Sequence, residues 1–498
     1  MPRHYYNTQK RCNMKSNLAI CKLIKYAEKY LGLHPTDVNY KVNTILDLLN
    51  ISYFEQVPVE YVTTDIAELL AEFTSACVED GIFEQQDGPY YCDKVMGALS
   101  ILPSSVDGVF HQIYAEHGSK IAMEWLYGYC VANNYIKKAV LDKNPRFDSN
   151  GLVVTINLAK PEFRDPKQSA QGNKVQGGYP KCVICRENEG VVSRSKCTLR
   201  TVSLTLGGKP WFWQFSPYGY FREHGIAVNT IHTPMKVDKQ TFVNILDFVD
   251  QFPNYFIGSN AALKRIGGSV LAHDHYQGGG EILPMHKVGF RQMFTMDGYE
   301  DLQIGIVDWH NTAVRICGTN RDKIVELATR INDAWNVYTN EELGLIPFTE
   351  GEQHHATSPT VVKKGNTYEL TIILRSNITT EQYPDGVFHA HPEFHIIKKE
   401  SIGLIEAQGL FILPGRLQKQ LADVERCIAN GLLTDDLKDF QMVYDETLAI
   451  VNKGVGNIHK AMEMELGSIC ERILKNTAVF KDDSQTVAFM QGLGFQLK

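Results

Sequence analysis

The sequence predicts an α+β protein with helical regions at both ends of a strand-rich core. Three observations carry that expectation. Apolar residues recur at three- and four-residue spacing over about 17–140 and again from 417 onward. The stretch between is built of short runs rich in β-branched and aromatic residues, separated by turn residues. Two helical patterns, KQTFVNILDFVDQFPN and DKIVELATRINDAWNVYTNEE, each interrupt those runs once.

Residues 1–16 are polar and basic with little periodicity, which reads as a flexible extension. A helical region spans 17–145, with NLAICKLIKYAEKYLGL, KVNTILDLLNI, DIAELLAEFTSACVEDG and SKIAMEWLYGYCVANNYI as its helices. Gly32 and the His34-Pro35 pair punctuate the first two. A first α+β section covers 146–300, with strands in GLVVTINLAKPEF, TLRTVSLTLGGKPWFWQFSP and HGIAVNTIHTP. A second covers 301–416, with strands in TVVKKGNTYELTIILRSN and GVFHAHPEFHIIKK. Each section carries an H-x-H near its end, so two related halves are expected. The region 417–498 is helical again, through QKQLADVERCIANGLL, DDLKDFQMVYDETLAIV and GNIHKAMEMELGSICERIL.

Composition narrows the function classes. The 498 residues are 44% hydrophobic and 21% charged, the balance of a protein with a large core. A net charge of −7 argues against a broad nucleic-acid or membrane surface. No apolar run reaches the length of a membrane span, and MPRHYYNTQKRCNMK has no apolar signal core. The eleven cysteines are therefore expected to be mostly reduced residues of a cytoplasmic protein.

Two of those cysteines stand out. PKCVICRENEG (180–190) places Cys182 and Cys185 in a C-x-x-C between a proline and a glycine. Such a knuckle presents two thiolates to a tetrahedral zinc; a redox dithiol and two ordinary cysteines are the rival readings. With no second C-x-x-C, further ligands would be histidines, and His232 in NTIHTP is a candidate.

GGSVLAHDHYQGGG (267–280) is the second cluster. In a strand, His273, His275 and Gln277 would share one face, with Asp274 and Tyr276 on the other. If His273 joins the cysteines and His232 on zinc, His275 is left beside them. Neutral imidazole attacks phosphorus and can leave again. Gln277 can hydrogen-bond a phosphoryl oxygen but cannot act as an acid. That suits a leaving group stable as an anion, such as another phosphate. Gly267, Gly268 and Ser269 would let backbone N–H groups approach the phosphate. A histidine-bearing strand with a glycine-rich turn is the plain alternative. In DGVFHAHPEFHIIKK, His389 and His391 could bind a second metal with His354 as third ligand, and a polar surface strand is the alternative there.

These motifs together resemble the UDP-glucose–hexose-1-phosphate (galactose-1-phosphate) uridylyltransferases, in their second, longer sequence class. The residues that carry the resemblance are the C-x-x-C, H-x-H-x-Q after Gly-Gly-Ser, INLAKPEFRDP, and FHAHPEFHIIKKESIGLIEAQGLFILPGRL. The resemblance covers the chain from about residue 17. It implies a histidine-triad-like antiparallel core and a ping-pong exchange of UMP between UDP-glucose and galactose 1-phosphate. It implies His275 as nucleophile, Gln277 as phosphoryl ligand, and phosphate contacts from Asn260, Gly268 and Ser269. It implies zinc on Cys182, Cys185, His232 and His273, and a second divalent metal on His354, His389 and His391 with Glu281 as a candidate carboxylate. No organic cofactor, nucleic acid or membrane partner is expected; a homodimer is. Asp274 and Tyr276 stand where the first class has proline and glycine. The rival activities are a nucleoside-polyphosphate phosphorylase or nucleotidyl hydrolase of the same superfamily, and a non-catalytic zinc-stabilised binding protein.

Overall fold

The computed structural model describes residues 15–159, 178–268 and 270–498. The chain divides into two compact units. The first comprises Met1–Ala139, Ile184–Leu204 and Phe212–Pro217; the second comprises Val140–Val183, Thr205–Trp211 and Tyr218–Lys498. Residues 1–14 of the expected extension lie outside the described residues, and Lys15 and Ser16 already belong to the first helix.

In the first unit the expected helices form at Lys15–Tyr30, Val38–Leu48, Ile66–Glu79 and Ser119–Ala132. Their apolar stripes bury Ile20, Leu23, Ile45, Phe73, Cys77 and Leu126. Asp65 starts the third by accepting from the N–H groups of Ala67 and Glu68. Two further helices, Gly88–Leu99 and Pro103–His117, lie inside the expected helical region, although no stripe marks them individually. Their sequences mix glycine, serine and valine into the pattern, and the second buries only Val106 and Phe110. Proline in the first turn is the start signal that both offer. The ten described cysteines are buried and none of them forms a disulfide.

The second unit is organised by a large sheet. Within that unit its strand order runs Gln496–Leu497, Phe290–Thr295, Gln303–Val307, Ala313–Gly318, Thr367–Ser376, His355–Lys364, Phe256–Gly258, His275–Gly279, Gly225–Asn229. From the first of these through Gly225–Asn229 every pairing is antiparallel. Helices Lys239–Gln251 and Arg321–Asn336 pack on it, burying Phe242, Ile245, Ile331 and Trp335. A smaller sheet pairs Leu152–Asn157 with Arg146–Ser149 and, in parallel, with Leu410–Pro414. Helices Leu417–Asn430 and Ile458–Thr477 share a core with that sheet through Leu152, Phe411, Leu417, Leu466 and Ile469.

One expected strand is absent. GVFHAHPEFHIIKK forms turns and a short 3₁₀ helix, Pro392–Phe394, instead. Pro392 fixes φ and removes a ladder donor, so the segment turns where a strand would need to continue.

Candidate active site

The strand His275–Gly279 lies between Gly225–Asn229 and Phe256–Gly258. Its register places chemistry on one face. Gln277 pairs with Ile226 and Gly258, Gly258 with Thr360, and Thr360 with Thr371. Paired residues point the same way, and so does His275, two residues before Gln277. Tyr276 points to the opposite face, stacked on Trp211 with centroids 4.8 Å apart, and its Oη accepts from Asn244 Nδ2 at 3.0 Å.

His273 departs from the expected strand face, because the strand begins only at His275. Asp274 ties the preceding turn down: its N–H donates to Thr233 O at 2.7 Å and its carbonyl accepts from Asn229 N at 3.0 Å. The glycine fence also has a packing origin. A Cβ at Gly278 would lie 2.2 Å from Phe256 O, and one at Gly267 would lie 2.2 Å from Ala261 O. Neighbouring backbone occupies that space.

Cys182 Sγ, Cys185 Sγ and the rings of His232 and His273 place their ligand atoms within 4.8 Å of one another. Tetrahedral zinc holds such atoms about 3.3–3.8 Å apart, from Zn–S near 2.3 Å and Zn–N near 2.0 Å. Cys182 Sγ is 3.3 Å from His273 Nδ1. His273 Nε2 is 2.7 Å from Asn229 O, so Nε2 carries the proton and Nδ1 offers its lone pair to the group. A donated N–H on the far nitrogen is how metal-binding imidazoles are usually held. The donor set and its burial fit a structural metal.

His275 has the opposite tautomer. Its Nδ1 lies 2.8 Å from His273 O, so Nδ1–H donates and Nε2 keeps a lone pair. The ring is buried, and burial lowers its pKa, which keeps it neutral and nucleophilic. Gln277 Oε1 lies 3.4 Å from His224 Nε2.

Residues 34–234 match the model of the galactose-1-phosphate uridyl transferase N-terminal domain, and 248–441 that of its C-terminal domain. A galactose-1-phosphate uridylyltransferase of Bifidobacterium longum is 48% identical, over 96% of this chain and 98% of the relative. Those of Ligilactobacillus salivarius and Halalkalibacterium halodurans are 37% and 35% identical, each over 94% of this chain and 96% of the relative. The chain belongs to the galactose-1-phosphate uridylyltransferase family. Its fold is α+β, with an antiparallel sheet core flanked by helical regions and two family domains in sequence.

The remaining residues implied by that family divide. Asn260 follows the strand that pairs with Gln277; its Oδ1 accepts from Leu404 N at 2.9 Å and its buried Nδ2 has no hydrogen-bond partner. Gly268 adjoins it: a Cβ there would lie 2.9 Å from Asn260 Nδ2. Ser269 lies outside the described residues. The expected second metal group does not assemble. Among the described residues the four-ligand group above is the one such cluster. His354 Nδ1 is engaged by Asn377 Oδ1 at 2.8 Å, His389 Nδ1 by Ala390 O at 3.1 Å, and His391 Nε2 by Val387 O at 3.1 Å. His391 stacks on Tyr383, and Glu281 pairs with Arg146. Without a strand through 389–395, period-2 alternation no longer aligns these imidazoles.

No motif or spacing marks His224 or Arg375 as functional. Arg375 is fully buried on the strand Thr367–Ser376; Nη2 donates to Ile402 O at 2.8 Å, while Nε and Nη1 have no partner.

Proposed function

We propose that this protein exchanges a uridylyl group between UDP-glucose and galactose 1-phosphate, releasing glucose 1-phosphate and UDP-galactose in the Leloir route of galactose metabolism. Family membership over nearly the whole chain sets the reaction. The observation that carries the mechanism is the lone pair on His275 Nε2, held toward the Gln277 face by the Nδ1–H bond to His273 O.

In the first half-reaction His275 Nε2 attacks the α-phosphorus. The bond from that phosphorus to the bridging oxygen breaks, and its electron pair leaves on glucose 1-phosphate. No proton is needed by that leaving group, which is why an amide at 277 suffices where an acid would otherwise stand. The imidazole becomes cationic as Nε2 bonds phosphorus, and its Nδ1–H donation to the carbonyl 2.8 Å away strengthens as it does. Gln277, Asn260 and Gly268 line the phosphoryl groups and donate to their oxygens. Galactose 1-phosphate then takes the uridylyl group by the reverse displacement.

Cys182, Cys185, His232 and His273 would hold zinc, which in a closed four-ligand site ties chain segments together. His273 is thereby fixed, and with it the carbonyl that orients His275. A cytoplasmic homodimer, with divisions at 1–16, 17–145, 146–300, 301–416 and 417–498, belongs to the same reading. The described residues contain no helix long and apolar enough to cross a membrane.

The test is incubation with UDP-glucose and galactose 1-phosphate. Wild type forms UDP-galactose, and His275→Gly forms none while still binding UDP-glucose. Wild-type turnover in His275→Gly would end the proposal.

A further inference from the structure

His224 opens the run HGIAVNTIHTP, in which only His232 stands out as a candidate, yet it is a side chain that touches Gln277. It precedes the strand Gly225–Asn229 and is 3% exposed. Its ring is stacked on Tyr220 with centroids 4.7 Å apart at 21° and also meets the tilted ring of Phe221 at 4.7 Å. Buried against both rings, the imidazole has little room to rotate.

We infer that His224 is a positioning residue for the transfer, whose Nε2–H fixes which end of the Gln277 carboxamide faces the phosphoryl group. The inference rests on the proposed role of Gln277.

The chemistry is a choice between two arrangements. An imidazole nitrogen beside an amide oxygen must donate, so the Nε2–H tautomer pairs with Gln277 Oε1 at 3.4 Å. The amide N–H₂ is then left for a phosphoryl oxygen. In the other tautomer Nε2 accepts from the amide N–H₂, and Gln277 turns its carbonyl oxygen toward an anionic phosphate, which repels it.

The other ring nitrogen decides between them. His224 Nδ1 is buried without a hydrogen-bond partner. Leaving a lone pair there costs less than leaving an N–H there, because orphaned buried donors are the rarer case. The Nε2–H tautomer is therefore preferred by the pocket before substrate arrives. Burial also lowers the pKa of His224 to about 4, so the ring adds no charge to the site near neutrality.

A purely structural histidine would affect stability alone. A positioning histidine affects the uridylylation step and does so through Gln277. The experiment is a double-mutant cycle on the full-length protein, reading single-turnover uridylylation by UDP-glucose, KM and melting temperature. His224→Phe keeps the aromatic stack and removes the donor; it is expected to slow uridylylation by about tenfold or more with KM for UDP-glucose changed less than about twofold. His224→Gln restores an N–H donor and is expected to recover to within about threefold of wild type. In a Gln277→Ala background, His224→Phe is expected to cost less than about twofold more. Additive losses in the double variant, or a His224→Phe rate equal to wild type, would overturn the inference while the proposed reaction stands. A wild-type protein that accepts no uridylyl group would overturn the proposed reaction and this inference with it.

Discussion

Gly278→Ala tests the register that brings His275 and Gln277 to one face. A Cβ at Gly278 would sit 2.2 Å from Phe256 O, 2.9 Å from Ile257 Cδ1 and 3.1 Å from Ile257 Cα. Ordinary contact begins near 3.4 Å, so the strands must part by about 1 Å. The obstacle is the backbone of the ladder partner, since Gly278 pairs with Ile257, and no side-chain rotation relieves it. Overpacking of this kind costs about 1–3 kcal/mol. One or two weakened ladder bonds add about 1 kcal/mol each. The total of about 2–5 kcal/mol corresponds to a melting temperature lower by roughly 4–15 °C for a unit of this size. Transfer activity falls with it, because the displaced strand carries both proposed catalytic side chains. Gly289→Ala is the control: nothing lies within 4 Å of its added Cβ. The assay is a thermal melt by circular dichroism with UDP-galactose formation measured on the same samples. A Gly278→Ala protein that melts with wild type and transfers at the wild-type rate would refute the register and the placement derived from it.

Tyr276→Phe removes the hydroxyl that accepts from Asn244 on the opposite face; it should cost about 1–2 kcal/mol by denaturant titration and leave kcat unchanged, and a large loss of kcat would contradict the separation of faces. Freshly purified protein should contain one zinc per chain by elemental analysis, and Cys185→Ser should lose it together with thermal stability; protein free of zinc would contradict the assignment. Burial lowers the pKa of His224 to about 4 and of His286 to about 3, against about 6.5 in an unfolded chain. Between those values the unfolded state binds more protons, so their contribution to stability is complete above pH 6.5 and is lost as pH falls toward 4. Melting temperature should therefore drop between pH 7 and pH 5, and a flat profile would contradict the buried neutral rings.

The legible parts of the fold are those where one local rule acts alone. The stripes in NLAICKLIKYAEKYLGL and in KQTFVNILDFVDQ, the latter capped by Asp238, became helices at those positions. Pro103–His117 falls in the region read as helical, but so little of it is buried that no stripe marks its bounds. Strand 275–279 was legible, but its start was not. Period-2 alternation predicted His273 on the face of His275, and the turn fixed through Thr233 and Asn229 overrides it. The four residues of the candidate metal group span 182 to 273, and the sequence offered them as candidates through residue type and motif. The second histidine cluster is not brought together, because the chain from 387 to 394 forms turns and a short 3₁₀ helix where a strand was expected. His224 carried no signal, since its role depends on a partner 53 residues away.

The proposed mechanism turns on a covalent bond between one nitrogen and one phosphorus. Intact-mass analysis after mixing the protein with UDP-glucose alone, followed by peptide mapping under non-acidic conditions, measures it directly. The account predicts the added mass of one uridylyl group per chain, located on His275, and its discharge as UDP-galactose when galactose 1-phosphate is supplied. No adduct while UDP-galactose still forms, or an adduct on any other residue, would contradict it.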